Sequence, residues 1–193
     1  MPTPRERMVI SAALLIRERG AHPTAIADVL EHSGAPRGSA YHYFPGGRAQ
    51  LLREAVDYAG SYMADRLAEA RSGLGALDDL FEGYRDQLRD SDFRAGCPVV
   101  AVAIESGDPD KREQSTGVRE RAAVAFARWL EVITQRLTDD GVAEADAAAL
   151  AMLILTSFEG AVVVARASRS VEALDLVHTQ LRELIRSRVG PAR

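Results

Sequence analysis

One cysteine stands in 193 residues, and a lone thiol excludes an internal disulfide framework and suits a reducing compartment. A glycine-rich phosphate loop is missing too, because Gly46-Gly47 is far too short to be one. No His, Cys or carboxylate pair has metal-ligand spacing: His22, His32 and His42 lie ten residues apart, which puts no two on one helix face. Cys97 has no histidine near it in sequence, and its neighbours Val99 and Val100 describe a buried, unreactive thiol. No metal or cofactor is expected, and catalysis finds little support. The N-terminus MPTPRERM lacks the apolar core of a secretory signal, so a cytoplasmic location is expected. Repeats, low-complexity tails and a credible strand pair are absent, which leaves an all-α chain.

What is present is a soluble composition, 47% hydrophobic and 27% charged. The net charge of −4 argues against indiscriminate coating of nucleic acid, and its distribution says more. Residues 1–48 hold six arginines against four acids, a net of +2, while the remainder carries 18 basic and 24 acidic residues, a net of −6. A mildly basic head on an acidic body fits DNA contact confined to one face.

Within that head, residues 24–44 read as two short helices joined by a tight turn. Thr24 is placed to cap the first, which shows Ile26, Val29 and Leu30 on one side. Gly34 supplies the left-handed backbone of the turn, and Pro36 has φ set for the start of the second helix. That second helix is polar and aromatic, which is helix-turn-helix logic. Arg37 and Arg48 would bind phosphates at its two ends, with Thr24 donating a third contact. Ser39, Tyr41, His42 and Tyr43 are candidates for backbone or base contact, one of the two tyrosines packing inside, and Gly38 lets the backbone approach the duplex. Thr3-Pro4-Arg5-Glu6 opens a helix that ends at Gly20 and completes a three-helix headpiece, with Phe44 and Leu51 in its core.

Behind Pro45-Gly46-Gly47 the apolar periodicity predicts a long helix over 48–71, an amphipathic one through Leu77–Leu88, and a short buried one from Pro98. GDPDKRE (107–113) is a polar loop or helix start, followed by helices over 114–138, 146–167 and 171–189. The division expected is 1–47 for DNA binding and 48–193 for ligand binding and dimerisation, about nine helices in all. Residues 146–167 approach the ~20 apolar residues a bilayer needs, but Glu159 sits inside the run and alanines dilute it. A helix apolar nearly all round is buried by its own core and by a partner subunit. Met152, Leu155, Glu159, Val162, Val163 and Leu181 are the interface residues expected. Aromatics with polar tips at helical spacing outline a ligand pocket. Its candidates are Tyr62, Phe81, Tyr84, Cys97, Val100, Glu105, Phe126, Trp129 and Phe158, although core filling explains any one of them. No membrane partner is expected.

The pattern IADVLEHSGAPRGSAYHYFPGGRAQLL resembles the DNA-binding headpiece of TetR-type transcriptional repressors, most strongly in SAYHYF. AGCPVVAVAIE, the Trp of FARWLEVI and FEGAVVVARASRS look like the regulatory domain of the LmrA/YxaF-like branch. One departure sets Arg48 apart: most members place a lysine three residues after the Phe, and here the basic residue comes four after it. The resemblance implies a homodimer joined through its last two helices, and a palindromic operator with half-sites about 34–36 Å apart. It also implies release by a small aromatic or drug-like inducer. Three readings stand at this point: a ligand-responsive repressor, a DNA-binding dimer without a ligand, and an α-helical enzyme or carrier for an apolar compound.

Overall fold

The computed structural model describes residues 2–105 and 112–189, with the side chains of all of these but 112–116. Among them are nine helices and no strand: α1 Pro4–Arg19, α2 Ile26–Ser33, α3 Ser39–Tyr43, α4 Gly47–Glu69, α5 Gly73–Asp90, α6 Pro98–Ile104, α7 Arg112–Asp139, α8 Glu144–Ser168 and α9 Glu172–Arg188. The polar segment expected at 107–113 lies mostly outside the described residues.

Two packed units emerge, Met1–Tyr62 with Cys97–Phe126, and Met63–Gly96 with Ala127–Arg193. Packing does not divide the chain at residue 47: the headpiece shares its unit with most of α4, α6 and the start of α7.

In the first unit, α1 starts as its sequence requires. Thr3 Oγ1 accepts the Glu6 amide at 3.2 Å and Glu6 accepts the Thr3 amide at 2.7 Å, with Pro4 already fixed in helical φ. Those hydrogen bonds hold the Glu6 carboxyl below its ordinary range, the Thr3 amide contributing most. Met8, Ala12 and Ile16 of α1 meet Val29, Ala40, Phe44, Leu51 and Val56 in one buried core. The Arg5 guanidinium lies 5.0 Å from the Phe44 ring centroid and pairs with Glu54 at 2.7 Å. At Gly60 an added Cβ would come within 2.8 Å of Ala125, so only glycine lets α4 and α7 approach this closely.

The second unit packs α5, α8 and α9. Phe158 meets the rings of Phe81 and Tyr84 edge-on, at centroid distances of 5.2 and 4.8 Å. Buried His178 stacks on Phe81 and bridges Asp78 and Arg85, each at 2.7 Å, tying α9 to α5. α8 is, among the described residues, the one helix long and apolar enough to cross a membrane, and half of that stretch is buried inside the unit.

Candidate nucleic-acid interface

The turn between α2 and α3 forms as read. Gly34 takes φ 63° and donates to the carbonyls of Leu30 and Glu31. The start of α2 differs from expectation. Thr24 does not cap it: the hydroxyl donates to the Gly20 carbonyl at 2.7 Å and the residue is 1% exposed. Asp28 instead accepts the Ala25 amide at 3.0 Å, and pairs with Arg19 at 2.7 Å. In this arrangement Thr24 braces the α1–α2 loop and offers no donor to a phosphate.

The second helix begins at Ser39 rather than at Pro36. Residues 36–39 form a turn in which the Ser39 amide and hydroxyl both donate to the Pro36 carbonyl, at 2.9 and 2.7 Å. The hydroxyl competes with helical backbone bonding, so the helix is delayed and only five residues long. It is anchored by Ala40 and Phe44, both buried, and it presents the opposite side. Tyr41 is 70% exposed, His42 is exposed, and Tyr43 is half-buried with its ring edge-on to His42. Neither tyrosine fills the headpiece core. Arg37 and Gly38 are exposed beside them, and nothing lies within 4 Å of where a Gly38 Cβ would stand. Arg37 makes no hydrogen bond or ion pair among the described residues.

Arg48 is the clearest correction. It was expected at a phosphate, yet it turns into the protein. Nε donates to the Thr24 carbonyl at 2.8 Å and one terminal nitrogen donates to those of Ala21 and His22, the latter at 2.9 Å. A guanidinium has five donors and no acceptor, so a loop exposing three carbonyls is a good partner. Burial pulls the Arg48 pKa below its ordinary value, and the Glu105 charge opposes that shift.

Glu105 itself was expected in a ligand pocket. It instead accepts the His22 amide on both carboxylate oxygens, at 3.2 and 3.0 Å. Nothing in the sequence names an amide 83 residues away as its partner. The rest of the predicted pocket set is divided. Tyr62, Cys97, Val100 and Phe126 belong to the first unit, and Phe81, Tyr84, Trp129 and Phe158 to the second. Phe81, Tyr84 and Phe158 form a ring cluster, while Tyr62 is exposed and stacked on Tyr58. An open groove of about 420 Å³ in the first unit, bordered by Arg5, Val9, Ile10, Glu54 and Tyr58, shares no residue with that set.

The predicted interface set also needs correcting. Leu155, Glu159, Val162 and Leu181 are buried within the second unit. Met152 and Val163, each 50% exposed, do lie outside, where they join Leu153, Val164 and Leu176 in an exposed apolar group on α8 and α9.

Comparison with known proteins places this architecture. Residues 10–55 match the family model of bacterial regulatory proteins of the tetR family. Residues 74–180 match that of the LmrA/YxaF-like transcriptional regulators, C-terminal domain. An uncharacterized HTH-type transcriptional regulator of Mycobacterium tuberculosis is 58% identical over 185 residues, covering 96% of this chain and 95% of its own. The HTH-type transcriptional regulator LmrA of Bacillus subtilis is 25% identical, covering 94% and 96%. Among solved structures, a TetR transcriptional regulator from Chloroflexus aurantiacus is 30% identical with a TM-score of 0.72, covering 98% and 97%. A CifR cysteine mutant complexed with 26bp double-strand operator DNA shares the fold at a TM-score of 0.71 and 23% identity, covering 95% and 97%.

Proposed function

The chain belongs to the TetR family of bacterial regulatory proteins, in its LmrA/YxaF-like branch, and is a DNA-binding transcriptional regulator and not an enzyme; from that premise we propose a cytoplasmic, ligand-responsive repressor. Residues 1–47 carry operator contact and 48–193 carry ligand binding and dimerisation. One observation carries the DNA-contact reading: α3 is pinned from below by Ala40 and Phe44, which leaves Tyr41, His42 and Arg37 outward. Arg37 serves as the phosphate contact, while Ser39, Tyr41, His42 and Tyr43 supply backbone or base contacts.

The dimer reading rests on the exposed apolar group of Met152, Leu153, Val163, Val164 and Leu176. Water penalises such a group on α8, and a second copy is the partner that a homodimeric repressor supplies. Two headpieces then read half-sites about 34–36 Å apart on a partly palindromic operator. An aromatic or drug-like inducer that favours a different headpiece spacing releases the DNA, a coupling of about 1–3 kcal/mol. The direct experiment is a gel shift with the chain's own upstream intergenic DNA, repeated with candidate inducers. Binding that an inducer abolishes supports the proposal.

A second reading, a DNA-binding dimer without a small-molecule ligand, is favoured by one observation. Phe81, Tyr84 and Phe158 occupy one another's space edge to face, so this cluster is filled by its own side chains. DNA binding that no compound in an aromatic library alters would favour it.

A further inference from the structure

The loop that leads into the helix-turn-helix is held by two residues from outside it. Residues 20–24 expose the carbonyls of Ala21, His22 and Thr24 to Arg48 at the start of α4, and the His22 amide to Glu105 at the end of α6. The fit is close. Gly20 has φ 91°, a backbone that favours glycine, and a Cβ added there would lie 2.1 Å from Glu105 Oε1 and push the carboxylate off the loop. The Thr24 hydroxyl folds back onto the Gly20 carbonyl and closes the loop on itself.

The charges are arranged to support one another. A partly buried guanidinium needs compensation, and Glu105 supplies the opposite charge beside it. Removing Glu105 leaves the Arg48 charge uncompensated and the His22 amide without its acceptor, and removing Arg48 leaves three loop carbonyls without their donor. The loop ends at Ala25, directly before α2, so whatever fixes residues 20–24 also fixes where α2 and the turn to α3 begin.

We propose that Arg48 and Glu105 act as positioning residues, a two-sided latch that keeps the α1–α2 loop, and with it α2 and α3, set for DNA contact. On this reading Arg48 supports operator binding strongly while touching no phosphate. Opening the latch lowers affinity by misplacing the reading helices.

The test uses the full-length protein and a duplex selected on it from a random-sequence library. Affinity is measured by fluorescence anisotropy over a salt series for wild type, Glu105→Gln, Arg48→Gln and the double variant. Each single change is expected to weaken binding about tenfold, the scale of a lost charge-assisted hydrogen bond, with the salt slope unchanged. The double variant is expected to bind no worse than the weaker single one, because both remove one device. Amide exchange at His22 should accelerate in both single variants. A salt slope that falls by about one in Arg48→Gln makes that residue a phosphate contact and overturns the proposal. Additive losses, or single variants within about twofold of wild type, overturn it as well. The wild-type chain supplies a check that depends on no variant folding: its His22 amide must be protected, and exchange at the unprotected rate refutes the latch.

Discussion

Replacing Phe44 with alanine removes the ring on which α3 rests. Phe44 is 1% exposed, follows α3 directly, and donates its own amide to the Ala40 carbonyl at 2.8 Å. Deleting a buried Phe side chain costs about 3–5 kcal/mol, combining lost apolar burial with the cavity left behind. The Arg5 contact over the ring adds about 0.5–1 kcal/mol at most, since Arg5 keeps its pairing with Glu54. A chain of this size shifts by about 2–4 °C per kcal/mol, so the transition that includes the headpiece should fall by about 6–20 °C. The functional loss should come first. A five-residue helix has almost no stability of its own, so α3 melts locally before the unit around it unfolds. Calorimetry reads the first effect, and anisotropy with a selected duplex at a temperature well below the transition reads the second. Phe44→Leu, which retains most of the apolar area, should keep most of both. A Phe44→Ala chain that melts within about 2 °C of wild type and still binds DNA would refute the packing argument.

Arg37→Ala should weaken binding to all duplexes and lower the salt slope by about one, since it deletes the phosphate contact proposed for it; an unchanged slope would remove Arg37 from that role. Val163→Glu places a charge in the exposed apolar group of α8 and should shift sedimentation from dimer to monomer while leaving helicity intact. A dimer that survives the change would move the interface elsewhere. Glu6 should titrate below an ordinary glutamate, because its hydrogen bonds with Thr3 favour the charged form. Its folded pKa is depressed, so its support of α1 is present above the unfolded pKa and fades as pH falls through the folded one. Carbon-13 titration of the carboxyl reads the midpoint, and a value at or above the ordinary one contradicts the cap.

The parts of this fold that were legible in the sequence are those whose causes are local. The Thr3–Glu6 capping box, the left-handed Gly34 and the helix from Pro98 each depend on residues within a few positions, and each formed as read. The failures share a different cause. Arg48 finds its carbonyls 24–27 residues away and Glu105 finds its amide 83 away, and no periodicity encodes such pairings. Thr24 had two acceptable uses for one hydroxyl, and folding the loop onto Gly20 prevailed over capping α2. On α8 the difficulty was the absence of contrast. A helix apolar on nearly every side carries no pattern to separate the face toward its own core from the face left outside, so Leu155 and Val162, expected at an interface, are buried, while Leu153 and Val164 are exposed. The exposure of α3 was the most legible feature, because the helix is polar and aromatic at every position that does not anchor it.

A DNA-binding regulator that answers to a small molecule must release its duplex on binding that molecule, and one titration reads both events. The wild-type protein is bound to its selected duplex at ~100 mM salt, an ionic strength at which non-specific phosphate contact is already weakened. Aromatic compounds are then added while duplex anisotropy and emission from Trp129, the only tryptophan, are followed together. The expected result is a compound that releases the duplex over the same concentration range in which it quenches Trp129. Binding that no compound alters, with Trp129 emission unchanged throughout, would contradict the ligand-responsive reading, and failure to bind any selected duplex would contradict the operator contact assigned to Arg37 and α3.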